Sequence, residues 1–169
     1  MTPAMSDMVP FAPANRTLPR MLDIQAARHG DRILLSTAGG SWTVREARDI
    51  ASGRAAALRA IGISAGDRVA VLCSNRVEML EIFLGCSWIG AIAVPINTAA
   101  MAPQIAYCLS NSGARLLVIE QRFCDRLAPA CDGLASLQAI WVIGSLFTSM
   151  TGTRVEVRSP DANVLIALH

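Results

Sequence analysis

Lysine is missing from this chain of 169 residues, because all 15 of its basic side chains are arginines. A Walker-type phosphate loop holds nucleotide phosphates with a lysine, so that motif is excluded within these residues. Schiff-base enzymes, including those that use pyridoxal phosphate, need a lysine amine and are excluded as well. The missing residue type removes two large classes of catalytic chemistry.

Charge is also scarce: 17% of the residues are charged, 53% are hydrophobic, and the formal net charge is +2. This composition is typical of a folded chain and not of a disordered one, and the length favours one domain. The small net charge gives no reason to expect nucleic acid or an anionic membrane as a partner. The apolar excess suggests a surface that a partner, or a further part of the same chain, covers.

Metal-binding spacings are absent from the sequence. The cysteines are odd in number and none forms a CxxC pair: Cys73, Cys86, Cys108, Cys124 and Cys131. The two histidines, His29 and His169, cannot complete a zinc pattern. We therefore expect no metal site, and buried thiols in a reducing, cytoplasmic compartment.

Neither a signal peptide nor a membrane span is expected. Residues 1–16 lack a basic start and a long apolar core, and they are predicted to be a flexible lead-in. Residues 82–114 carry no charge, but their apolar centre, 82–96, is only 15 residues long. Since a span needs roughly 17–25 residues, we interpret this stretch as a buried helix that runs into a buried strand.

The first third of the chain predicts a helix, a hairpin and a second helix, from apolar spacings of three and four and a glycine turn. These elements are a helix from Thr17 to His29, strands 32–37 and 41–43 around a turn at 38–41, and a helix that ends at Gly62. Thr43 and Glu46 have the spacing of a capping box, in which each side chain accepts from the other's backbone amide.

From residue 67 onward, continuous apolar runs alternate with helical segments. The predicted strands are 67–73, 92–96, 115–120, 139–143 and 163–168, the predicted helices are 77–89, 103–111 and 121–134 with an interruption at Pro129, and 145–160 is loop or ribbon. Asn75 and Glu78 suggest a second capping box, and Pro95 suggests an edge strand or the end of a strand. The pattern indicates an α/β fold, with a mainly parallel sheet flanked by helices.

No catalytic set is found: GxSxG, HExxH and a GxGxxG after a strand are all missing. Asp67 is a candidate general base, but an aspartate after Gly66 more often hydrogen-bonds its own turn. Glu78 and Glu81 have a spacing seen in metal-binding bundles, but without a histidine, capping and solvent exposure explain them better. The sequence therefore gives no catalytic residue, and its cofactor-binding residues stay unknown.

Other conspicuous residues are predicted to be structural. The glycine pairs are explained by helix ends, turns and close packing: Gly62 with Gly66, and Gly85 with Gly90. Phe83 and Trp88 are predicted core residues, Trp42 packs the hairpin on the next helix, and Asn97 forms a turn. A solvated helix face is predicted for four arginines: Arg45, Arg48, Arg54 and Arg59.

Five stretches in a fixed order resemble a known family. They are SWTVRE at 41–46, LRAIGI followed by GDRVAV within 58–71, SNRVE at 74–78, GAIAVPIN at 90–97 and AYCLSNSGAR at 106–115. Together they resemble the N-terminal part of the AMP-forming acyl-CoA synthetases, the adenylate-forming ligase superfamily. The stretch IGAIAVPIN is most similar to fatty-acid and crotonobetaine/carnitine-CoA ligases.

The resemblance implies a two-step reaction for the full-length family. A carboxylate attacks the α-phosphate of ATP to give an acyl-adenylate and pyrophosphate, and coenzyme A then displaces AMP to give a thioester. ATP, Mg²⁺ and coenzyme A are thus implied, with a small carboxylic acid as substrate. The family uses a Ser/Thr/Gly-rich loop that ends in lysine, and a second lysine from a mobile C-terminal domain.

Neither family lysine has a counterpart here, so no catalytic residue can be carried over. After the lead-in at 1–16, the resemblance implies an incomplete N-terminal subdomain at 17–169, which ends just before the phosphate loop. Such a chain is expected to be inactive by itself, as a fragment, a truncated gene product or one piece of a split enzyme. Two positions depart from the family pattern: Val44 replaces a frequent aromatic, and Ala99 replaces a frequent arginine near the coenzyme A phosphates, which puts that contact in doubt.

Two alternative functions stay open. One is a non-catalytic α/β module that binds a partner or an acyl ligand. The other is a nucleotide-binding domain of another class, which the missing phosphate loop disfavours.

The expected partner is the remainder of the ligase or a protein that covers an apolar face, and the family is often homodimeric. The acyl substrate cannot be read, because its pocket lies mostly in other parts of the family fold.

Overall fold

A computed structural model describes residues 16–37, 40–127 and 134–144, and the backbone of 157–158 and 164–167. Its helices and strands follow in this order: α1 Leu18–His29, β1 Ile33–Thr37, β2 Gly40–Thr43, α2 Val44–Ala60, β3 Arg68–Leu72, α3 Val77–Ile89, β4 Ile92–Pro95, α4 Ala102–Ser112, β5 Leu116–Glu120, a 3₁₀ helix Gln121–Arg126, β6 Ala139–Ile143, β7 Val157–Arg158 and β8 Val164–Ala167. The predicted lead-in at 1–16 lies outside the described residues except for Arg16.

One six-stranded sheet forms the centre of the fold, with the strand order β4-β3-β5-β6-β8-β7. The strands β4, β3, β5 and β6 are parallel, whereas β8 runs antiparallel to β6. The predicted α/β class with a mainly parallel sheet is therefore confirmed. Pro95 closes β4 at one end of this order, where its missing N–H interrupts no central ladder, which confirms the edge prediction.

The central strands β3 and β5 are covered on both faces, which explains why they show no polar alternation. Val69 and Val71 of β3 pack with Leu58 of α2 and Ile82 of α3 on one face. On the other face, Ala70 and Leu72 of β3 and Leu117 and Ile119 of β5 pack against α4. The α4 residues in this cluster are Ile105 and Leu109. Every residue of β5 is buried.

The capping box at the start of α2 is confirmed. The Glu46 amide donates to Thr43 Oγ1 at 3.2 Å, and the Thr43 amide donates to Glu46 Oε2 at 2.7 Å. Two amides that have no partner inside the helix are thereby satisfied.

The second predicted capping box is wrong. The residue before α3 is Arg76, and no side chain caps the helix. The Arg76 guanidinium binds Glu78 instead, and its Nε donates to Glu78 Oε2 at 3.2 Å. A charge-assisted pair with an arginine two residues away is stronger than a bond to a backbone amide, so the carboxylate does not reach back to Asn75.

The helix α3 is also less buried than its composition predicts. Its buried residues lie on one side, toward α2 and the sheet: Ile82, Gly85, Cys86 and Ile89. Leu80 is 39% exposed, so α3 is not buried on all sides. Phe83 and Trp88 are half-buried against the core of that face, which confirms them as packing residues.

The predicted helix at 121–134 is replaced, in its described part, by the 3₁₀ helix. The Leu127 amide donates to the Cys124 carbonyl at 2.9 Å, the three-residue spacing of a 3₁₀ turn. Pro129 disfavours the α conformation of the residue before it, so little room is left for a full α-helix. Residues 128–133 lie outside the described residues, as does most of 145–160.

Candidate functional site

The carboxyl ends of β3 and β5 form the natural crevice of this fold. From β3 the chain passes through α3 to β4 on one side, then through α4 to β5 on the other side. The two connections cover opposite faces of the sheet. In open α/β sheets, ligands bind at the carboxyl ends of strands where the order reverses in this way. The residues after β3 and at the end of β5 are therefore the candidate site.

Ser74 and Glu120 bridge this crevice. Glu120 ends β5 and is only 7% exposed. Its Oε2 accepts from the Ser74 hydroxyl at 2.7 Å and from the Ser74 amide at 3.0 Å. One carboxylate oxygen thus fixes the backbone that leaves the neighbouring strand.

Two arginines neutralise the buried carboxylate. Arg122 Nε lies 3.0 Å and Arg76 Nη1 lies 3.5 Å from Glu120 Oε1. Arg76 also holds Glu78, as described above for the start of α3. Together these five residues, Ser74, Arg76, Glu78, Glu120 and Arg122, form the switch-point cluster.

The electrostatics of the cluster oppose acid–base catalysis by Glu120. Burial raises the pKa of Glu120, but the hydrogen bonds from Ser74 and the charges of Arg122 and Arg76 outweigh it, so the pKa is lowered. The pKa of Glu78 is lowered chiefly by its hydrogen bond from Arg76. A general base works best with a pKa near the operating pH, and both carboxylates are shifted away from it.

Cys73 lies beside the cluster and is not an activated thiol. Burial, followed by the negative charge of Glu120, raises its pKa to about 11. Burial likewise raises the pKa of Cys86 to about 12 and that of Cys124 to about 11. These three cysteines are buried as predicted, Cys108 is half-buried, and Cys131 lies outside the described residues.

The cluster does not fit a magnesium ion. Both oxygens of Glu120 are already engaged by donors or cations, and the two arginines would repel a divalent ion. Among the described residues, no group of three His, Cys, Asp or Glu side chains could hold a metal. The cluster therefore has no oxygen ligand free for a metal ion.

Asp67 lies at the opposite end of β3 from the crevice. Its Oδ2 accepts from the Ser64 amide at 2.8 Å, which confirms it as a turn residue. It also accepts from Arg115 Nη1 at 2.6 Å, a pair across two strands that the sequence did not predict. The candidate general base is thus remote from the switch-point cluster.

Glu81 and Arg54 were both predicted to face solvent, and both predictions are wrong. Arg54 Nε of α2 donates to Glu81 Oε2 of α3 at 2.7 Å, and the two side chains are only 25% and 15% exposed. The Arg54 guanidinium also stacks 5.7 Å from the Trp141 ring centroid. The explanation of Glu78 by capping and exposure fails too, whereas Arg45 and Arg59 are exposed and Arg48 is half-buried.

Asn97 forms a turn after β4, as predicted. Its Oδ1 accepts from the Ala99 amide at 2.8 Å, and its carbonyl accepts from the Ala100 amide at 2.9 Å. Arg126 Nη1 of the 3₁₀ helix donates to the Thr98 carbonyl at 2.7 Å. A cation from another element therefore contacts the loop that holds Ala99.

The glycine pairs have the structural roles predicted for them. Gly62 and Gly66 lie in the turn between α2 and β3, and Gly90 ends α3 with a φ of +78°. A Cβ on Gly85 would lie 2.7 Å from Arg54 Cβ, so α2 and α3 approach closely there. Trp42 is half-buried and pairs in register with Leu35, while its packing on α2 stays a prediction.

The switch-point cluster was not found by sequence reasoning, although a signal exists. Residues 116–119 are all apolar, and a carboxylate at position 120 ends that run. A charged residue that closes a strand buried on both faces needs partners. Ser74 and Arg76, just after the preceding strand in the sheet, are in the position to supply them.

The fold and its crevice define an open, doubly wound α/β protein. A family model for the AMP-binding enzymes matches residues 22–162. That match covers most of the chain, and the chain belongs to the AMP-binding enzyme family. The resemblance to the N-terminal part of the acyl-CoA synthetases is thereby confirmed at the level of the family.

Two curated relatives show how this chain compares in length. The long-chain-fatty-acid–CoA ligase FadD13 of Mycobacterium tuberculosis is 48% identical over 61 residues, which are 36% of this chain and 12% of that ligase. The uncharacterized protein Rv1549 of the same organism is 30% identical over 99 residues, 57% of each chain. The matched residues therefore span about an eighth of FadD13, whereas Rv1549 is about as long as this chain.

Among solved structures, the anthranilate CoA ligase AuaEII in complex with anthranoyl-AMP is similar in fold. It is 28% identical with a TM-score of 0.72, and the match covers 78% of this chain and 26% of that one.

Among the described residues, no helix combines the length and the apolar character that crossing a membrane requires.

Proposed function

We propose that this chain provides the N-terminal α/β subdomain of an AMP-forming acyl-CoA ligase. The supporting observation is the family match over residues 22–162, together with the TM-score of 0.72 to a ligase that holds an acyl-adenylate. In such a ligase a carboxylate and ATP give an acyl-adenylate and pyrophosphate, and coenzyme A then takes the acyl group. The subdomain runs over residues 17–169, with 1–16 as a lead-in.

The role of this chain in that reaction is to build a scaffold. The Ser74 and Glu120 pair fixes the two strand ends at the crevice, and neither carboxylate of the cluster is free to move protons. Chemistry that needs lysine must come from elsewhere, since these 169 residues contain none. ATP, Mg²⁺ and coenzyme A are thus proposed for the complete ligase and not for the described residues of this chain. Four free cysteines in the described part favour the cytoplasm.

An assay for AMP tests the proposal. The purified chain is mixed with ATP, Mg²⁺, coenzyme A and fatty acids from short to long, and AMP is measured by chromatography. FadD13 serves as the positive control. The proposal predicts no AMP above the no-enzyme background, because the phosphate-loop lysine and the C-terminal-domain lysine of the family are both missing from these 169 residues. AMP formation that depends on a fatty acid would show that the chain is a complete enzyme and would contradict the scaffold role.

A second candidate function is a non-catalytic α/β module, and one observation favours it. Rv1549 matches over 57% of each chain, so a relative of about this length exists. The two candidates are separated by the genomic DNA that follows codon 169. An in-frame stretch rich in Ser, Thr and Gly that ends in lysine supports the ligase, and a stop codon with no such stretch nearby supports the module.

A further inference from the structure

We draw no further inference here: the strongest candidate, the side-chain cluster of Arg122 and Arg126 around the Phe123 ring on the 3₁₀ helix after β5, belongs to the crevice already described, since its two guanidiniums bind the Glu120 carboxylate and carbonyls of the loop after β4.

Discussion

The Ser74 hydroxyl donates to Glu120 Oε2 at 2.7 Å and so joins the carboxyl ends of two neighbouring parallel strands. The bond spans the point at which the strand order reverses, where α/β folds hold their ligands. Since Arg76 and Arg122 neutralise the same carboxylate, the pair is a fixed part of the crevice wall.

Glu120→Ala should destabilise the fold. The change removes a nearly buried acceptor and leaves the Ser74 amide and hydroxyl without their partner. We expect a loss of about 2–4 kcal/mol in the free energy of unfolding, measured by urea denaturation. Glu120→Gln should lose roughly half as much, since its carbonyl oxygen still accepts from Ser74. Asp49→Asn is the control, because Asp49 is exposed and its pair with Arg48 should contribute under about 1 kcal/mol. Equal losses for Glu120→Ala and Asp49→Asn would show that the bridge has no structural role.

The stability should depend on pH through the same carboxylate. The pKa of folded Glu120 lies below its ordinary value of 4.5. The ionised form therefore stabilises the fold fully above that value, and this contribution is lost as the pH falls through the folded pKa. Urea denaturation from about pH 6 to about pH 3 should show the difference between wild type and Glu120→Gln shrinking toward acid. A difference that is constant with pH would mean that the Glu120 charge does not contribute.

Three buried thiols should resist modification in the folded chain. The pKa values of Cys73, Cys86 and Cys124 are raised to about 11, about 12 and about 11. At pH 8 a thiol of pKa 11 is thiolate in about one molecule in a thousand, so reaction with a disulfide reagent is slow. Peptide mass spectrometry after brief labelling should find these three cysteines unmodified, and in urea they should react rapidly. Rapid labelling of Cys73 without urea would contradict the burial described here.

Two glycines should respond oppositely to alanine. Gly85→Ala would put its Cβ 2.7 Å from Arg54 Cβ and force α2 and α3 apart, which should cost about 1–3 kcal/mol. Gly53 lies in α2, and a Cβ there meets no atom within 4 Å. Gly53→Ala should therefore stabilise the chain by about 0.5–1 kcal/mol, because alanine favours the helix. Thermal melts of both variants check this pair, and a neutral Gly85→Ala would mean that the helices pack less closely.

Most of the fold follows from local patterns in the sequence. The apolar centres of two predicted strands, 69–73 and 116–119, are correct for parallel strands that helices cover on both faces. The buried strand predicted at 92–96 is wrong, because β4 lies at the edge of the sheet and Ile92 is 51% exposed. The Thr43 and Glu46 box is also local, since its two residues compete with no other partner.

Side-chain partners distant in sequence could not be predicted in the same way. Glu78 has the spacing for a capping box, yet the Arg76 guanidinium binds its carboxylate. Arg54 and Glu81 are 27 residues apart, and only the crossing of α2 and α3 brings them together. The switch-point cluster likewise depends on the neighbouring positions of β3 and β5, which the strand order determines and the local sequence does not.

A chimera shows whether this chain can serve as the N-terminal subdomain of an acyl-CoA ligase. Residues 22–162 replace the corresponding segment of FadD13, and AMP formation is measured with ATP, Mg²⁺, coenzyme A and a long-chain fatty acid. We expect the chimera to form AMP that depends on the fatty acid, and the 169-residue chain alone to form none. A folded chimera that forms no AMP, or AMP formed by the chain alone, would contradict this expectation.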